Sequence, residues 1–92
     1  METKIKLNET MDYLKAMLFR LPAGFGHYKI SFEVDGQEYY TTTTNLEAIN
    51  AAFNEEYEFD GQYTLRYSSK DEAREDLVNE ILEDNNIELV NS

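Results

Sequence analysis

Glu56, Glu58 and Asp60 stand at alternate positions with Gly61 directly after them, which is how an EF-hand calcium loop begins. Such a loop also needs a bidentate Glu at its twelfth position. That position is Tyr67, and strand-like alternation runs through Tyr63, Leu65 and Tyr67 where a helix should follow. The spacing supports no more than a weak surface cation site, so no metal is expected. His27 is the only histidine and there is no cysteine. Zinc sites built on two or three histidines, thiolate metal sites and thiol nucleophiles are therefore excluded. A Ser–His–Asp relay would have to use His27 with nothing beside it to support the role. Acids are so plentiful that any pair of them is uninformative as an acid–base couple. No activated nucleophile or base can be named, which predicts a protein that is not an enzyme and needs no cofactor. An enzyme would require a concave pocket containing His27 and carboxylates.

Charge display is the stronger signal. The 92-residue chain has a net charge of −11. Residues 1–46 carry six acids against five bases, and residues 47–92 carry thirteen against three. This field opposes nucleic acid and anionic membrane surfaces. It favours a basic partner and speeds encounter with one. The densest part is 69–86, which reads as an amphipathic helix. Leu77, Val78, Ile81 and Leu82 form its apolar stripe, while Asp71, Glu72, Glu75, Asp76, Glu80, Glu83 and Asp84 surround them. Over roughly 20 Å of helix that is one carboxylate per ~3 Å, close to the ~3.4 Å axial spacing of phosphates along a DNA strand. Lys70 and Arg74 interrupt the run. Glu55, Glu56, Glu58 and Asp60 extend the acidic surface if their loop lies beside the helix. The competing explanation is an acidic face that only keeps the protein in solution.

Elements that would hold this helix follow from pattern. Residues 3–7 alternate as a short strand with Ile5 and Leu7 inward and Lys4 and Lys6 guarding its edge. Asn8 or Thr10 caps a first helix whose stripe is Met11, Leu14, Leu18 and Leu21, ended by Pro22. Residues 23–26 form a loop in which Phe25 plugs the core. Gly24-Phe25-Gly26 lacks the third glycine and the strand–helix context of a phosphate-binding loop. A hairpin over 27–44 turns at Asp35-Gly36. A two-residue loop would set Glu33 against Glu38, a bulged three-residue loop would not, and the register stays open. Thr44-x-x-Glu47 is a capping box for a helix with the stripe Leu46, Ile49, Ala52 and Phe53. A second hairpin over 55–67 turns at Asp60-Gly61. Ser69-x-x-Glu72 caps the acidic helix, Asn85-Asn86 ends it in a left-handed conformation, and Ile87, Leu89 and Val90 form a pinning strand.

The expected fold is a single α+β domain over 1–92. Two hairpins form an antiparallel sheet of about four strands, with two to three helices packed on one face. The tyrosines of the sheet could stack nucleic-acid bases only in a basic groove, for which Lys29 and Arg66 are too few. Tyr39, Tyr40, Tyr57, Tyr63 and Tyr67 are expected half-buried, and any left exposed would anchor a protein interface. There is no signal-peptide run and no stretch of about 18 apolar residues, so a cytoplasmic protein is expected.

In organisation the chain resembles small acidic inhibitors made by phages and mobile elements, including anti-CRISPR proteins and other DNA mimics. The likeness lies in the short first helix, the hairpin from Tyr28 to Tyr40, the helix from Leu46 to Phe53 and the Glu/Asp-rich remainder. It implies a stoichiometric inhibitor occupying a basic nucleic-acid site on an enzyme such as Cas9, acting in a host cytoplasm. It transfers no individual residue. The alternative is a general interaction or self-assembly module, a homo-oligomer included, that uses exposed tyrosines of the sheet.

Overall fold

The computed structural model describes residues 4–53, 67 and 69–90. Elements run β1 (Ile5–Leu7), α1 (Met11–Ala16), β2 (Phe19–Gly24), β3 (His27–Val34), β4 (Gln37–Thr43), α2 (Leu46–Phe53), α3 (Lys70–Asp84) and β5 (Ile87–Leu89). The architecture is α+β. An antiparallel sheet in the order β2–β3–β4 is accompanied by a separate parallel pair, β1–β5. Among the described residues the large sheet has three strands rather than four, and one of them, β2, is a stretch that pattern assigned largely to a helix. The second hairpin expected over 55–67 lies outside the described residues apart from Tyr67.

The first helix stops at Ala16. Thr10 caps it, its Oγ1 accepting from the Tyr13 N–H at 3.1 Å. The spacing of Leu14, Leu18 and Leu21 suggested a longer helix, but Phe19 and Leu21 also alternate. The strand wins because β3 has a second edge whose backbone groups need partners. Pro22 sits within β2 opposite Tyr28. The two-residue loop makes Val34–Gln37 a hydrogen-bonded pair. Alternation from there places Arg20 and Pro22 with their backbone groups on the free edge, where a proline withholds no ladder bond. Leu21, opposite Lys29 on the face turned away from Ile30, is 60% exposed.

Phe25 does not plug the core. Gly24, Phe25 and Gly26 have φ of 88°, 54° and 77°, and this left-handed turn throws the ring fully into solvent. The second hairpin turn, Asp35-Gly36, has φ of 51° and 79°. That is the two-residue geometry matched to strand twist, and it places Glu33 opposite Glu38. Lys29 offsets the repulsion, its Nζ 3.4 Å from the Glu38 carboxylate and over the Tyr40 ring.

The inner face of the sheet carries Ile30, Phe32 and Val34, all buried. α3 lies across it and supplies Ala73, Leu77, Val78, Ile81 and Leu82. At about 1.5–3 kcal/mol for each large side chain taken from water, this seam contributes strongly to cohesion, alongside the more extensive contact of α3 with α2. α3 also touches α1, α2 and β5. Ala48, Ala51 and Ala52 are fully buried, and their small side chains let α2 approach α3 closely. The stripe expected on α2 is rotated, leaving Leu46 exposed. The cap is Asn45, one residue later than expected. Its Oδ1 accepts from the Ala48 N–H at 3.1 Å, and its own N–H donates to Thr43 Oγ1 at 3.1 Å. At the other end of the chain, Asn86 takes φ 55° and turns it out of α3. β5 then pairs in parallel with β1, where Leu7 is buried but Ile5 is 39% exposed instead of inward. Lys4 reaches Glu88 across this pair.

Candidate functional site

α3 begins where pattern places it. The Ser69 hydroxyl accepts from the Glu72 N–H at 3.1 Å, and Asp71 and Glu72 stand in the first turn, where carboxylates are favoured by the helix dipole. With the apolar stripe turned inward, the seven acids of the helix divide into flanks and a crest. On the α1 flank, Asp71 meets the Lys15 ammonium at 2.7 Å. Lys15 is buried. The hydrogen bond it donates to Asp71 holds its pKa above the ordinary lysine value, burial pulls the other way, and Asp12 adds to the rise.

On the sheet flank, the Thr43 hydroxyl donates to Glu80 at 3.2 Å and the Thr41 hydroxyl donates to Asp84. The Glu80 carboxyl is raised above its usual value. Burial is the main cause, opposed by the Thr43 hydrogen bond and reinforced by Asp84, Asp76 and Glu83. Asp76 accepts from the buried Tyr67 hydroxyl at 2.8 Å, which in turn accepts from Asn45 Nδ2 at 3.1 Å. These links tie the helix to the cap of α2 and to the inward threonines of β4.

The crest consists of Glu72, Glu75, Asp76 and Glu83, all exposed, with Asp76, bonded to Tyr67, at its border with the sheet flank. Arg74 does not interrupt it. Its Nη1 donates to the Lys15 carbonyl at 2.6 Å and its Nε to the Ala52 carbonyl at 3.0 Å. Its guanidinium lies 5.1 Å from the Phe53 ring centroid, and that of Arg20 lies 5.3 Å from the same ring. Two cations are thus drawn onto one aromatic side chain and away from the carboxylates. Glu55, Glu56, Glu58 and Asp60 lie outside the described residues.

A cleft of about 550 Å³ lies beside Glu80, lined also by His27, Thr42, Thr43, Thr44 and Asn45. It places the single histidine and a raised carboxyl in one concavity. His27 Nδ1 is 3.2 Å from the Gly24 carbonyl oxygen. A carbonyl only accepts, so Nδ1 carries the proton and Nε2 is left as the basic nitrogen. The Thr43 hydroxyl is committed to Glu80 and to the Asn45 N–H, which leaves it poorly placed as a nucleophile. The cleft offers polar contacts for a small ligand more readily than a catalytic relay. Among the described residues no three His, Cys, Asp or Glu side chains converge as a metal site, and no helix is long and apolar enough to cross a membrane.

The residues that pattern overlooked are the anchors. Thr41, Thr43 and Tyr67 donate to the carboxylates, Asn45 supports Tyr67, and Lys15 and Arg74 are taken inward. The available signal was the alternation of Thr41 and Thr43 on the face of β4 shared with Tyr39. Hydroxyls on an inward strand face opposite an acidic helix are placed to meet its flanking carboxylates.

No family model matches the chain, and neither a curated protein nor a solved structure matches it.

Proposed function

We propose that this chain is a non-enzymatic binding protein, a stoichiometric inhibitor whose α3 crest occupies a basic nucleic-acid-binding surface of a partner enzyme in the cytoplasm. The supporting observation is the inward fold of Arg74. It leaves the outer side of the helix to Glu72, Glu75, Asp76 and Glu83 over roughly 16 Å of axis. An acidic crest on a rigid helix, at about one carboxylate per 5 Å of axis, offers a basic groove a row of negative charge sparser than the phosphates of a DNA strand, and it is pre-organised because the flanking acids already clamp the helix to the fold. The partner would be an enzyme with a basic nucleic-acid channel, of which an RNA-guided nuclease of the Cas9 type is one example.

Binding to such an enzyme should weaken by tenfold or more between about 50 and 300 mM salt, because exposed charges dominate the contact. The double variant Glu75→Lys/Glu83→Lys should lose most of the affinity while remaining folded. Equal binding by wild type and variant, or inhibition indifferent to salt, rules the reading out.

A further inference from the structure

Among the described residues, no helix covers the second face of the β2–β3–β4 sheet. Phe19, Leu21 and Tyr40 lie on it at 59%, 60% and 54% exposure, a density of exposed apolar surface that marks interaction sites. We infer that this face binds the same face of a second copy of the chain, the two sheets stacking about a two-fold axis. This goes beyond the α3 reading and uses none of its residues.

The first support is charge. The face carries Lys29 toward one end of β3, and Glu33 and Glu38 side by side at the other end. Two carboxylates directly opposite each other are unfavourable, and one ammonium, already drawn across Tyr40 to Glu38 at 3.4 Å, serves both. A two-fold axis lying between the sheets and perpendicular to the strands reverses the strands of the second copy and lays its Lys29 over this carboxylate pair. Each ammonium then sits between acids of both copies. Such self-complementarity is the requirement of an isologous interface.

The wider distribution of charge agrees. Residues 13–32, which contain β2 and most of β3, have no acid at all, although the chain has a net charge of −11. The α3 crest lies on the opposite side of the sheet. The uncovered face is therefore where two copies meet with least mutual repulsion.

Shape supports stacking over edge pairing. Pro22 occupies an outward position on the free edge of β2 and denies a donor to an added strand. The free edge of β4 is occupied at Tyr40, whose carbonyl accepts from Asn85 Nδ2 at 2.9 Å. At the centre of the face Ser31 is buried between its register neighbours Phe19 and Tyr40, so the two rings are what a second sheet meets. Three strands of about seven residues give a footprint of roughly 350 Å² per copy. A stable complex commonly buries about 800 Å² per partner, so the dimer is a weak one that forms at about 10 µM or above.

Sedimentation equilibrium of the full chain from about 10 µM to 1 mM tests this. The weight-average mass should rise toward that of a dimer. Lys29→Glu, and separately Leu21→Ser, should each raise the dissociation constant by about tenfold with an unchanged circular-dichroism spectrum. Mixing Lys29→Glu with Glu33→Lys/Glu38→Lys should restore association that neither variant shows alone. A monomer across the whole range overturns the inference, as does a dimer that Leu21→Ser leaves intact or a mixture that restores nothing. Because α3 is untouched in every variant, partner binding through the crest can fail or persist independently of these results.

Discussion

The outer side of α3 and the outer face of the β2–β3–β4 sheet both meet water, yet they are built from opposite materials. The helix shows carboxylates and hides its arginine. The sheet shows Phe19, Leu21 and Tyr40 and keeps one lysine against two acids. Each element is nonetheless buried on its other side, and the two buried sides meet. The contrast teaches that exposure alone does not sort residues by polarity in this molecule. What sorts them is which strand or turn a residue belongs to, and the sheet has an apolar outer face because 19–24 is a strand.

The largest expected effect separates the buried side of one element from the exposed side of the other by the same chemical change. Leu77→Ala opens a hole in the fully buried seam and should cost about 3 kcal/mol. Leu21→Ala on the uncovered sheet face should change stability by about 0.5 kcal/mol or less. Urea unfolding of both variants reads the difference, and equal losses would mean that the sheet face is packed after all. A middle-sized effect tests why the α3 crest is uninterrupted. Arg74→Ala removes two charge-assisted bonds to buried carbonyls and a ring contact, and should cost about 2 kcal/mol by the same measurement. Arg74→Lys should recover less than half of it, since an ammonium cannot reproduce the guanidinium fork.

The smallest effect concerns the polar flank between helix and sheet. A carboxyl raised in the folded state holds its proton more tightly folded than unfolded. The stabilising contribution of Glu80 is therefore complete below the ordinary value of 4.5 and is lost as pH rises through the raised folded value. Glu80→Gln keeps an acceptor for Thr43 but removes the charge. It should gain stability relative to wild type at pH 7, by about 0.5 kcal/mol or less for a partly solvated group. That gain should close as pH falls through 4.5. A gain independent of pH would assign it to packing.

Local chemistry explains which parts were legible beforehand. α3 could be read in full because Ser69, the stripe from Leu77 to Leu82 and Asn86 each act within a few residues of themselves. The Asp35-Gly36 turn was legible for the same reason, but its register was not. Glu33 against Glu38 is disfavoured locally and is tolerated because Lys29, six residues from the turn, reaches over Tyr40. The first helix was misread from Met17 onward. Leu14, Leu18 and Leu21 satisfy a helical period, while Phe19 and Leu21 satisfy a strand period, and the deciding term is a backbone edge on β3 that no local window contains. Phe25 was misplaced because an aromatic side chain argues for burial and a left-handed turn argues against it. On the candidate site, the acids of α3 were identifiable by type. Their division into crest and flanks depends on Lys15, Thr41, Thr43 and Tyr67, which are distant in sequence or on other elements.

The parallel pairing of β1 with β5 bears on how the molecule carries load. The Ile5 N–H donates to the Asn86 carbonyl at 2.9 Å and the Val90 N–H to the Leu7 carbonyl at 3.0 Å. Because the strands run the same way, Lys4 and Val90 stand at opposite ends of this ladder. Tension between those two points is directed along the strands, so the bonds of the ladder share it in shear instead of opening one after another. A ladder of three residues on each side thus acts as a clasp across the pulling direction, with the Lys4–Glu88 ion pair lying across it.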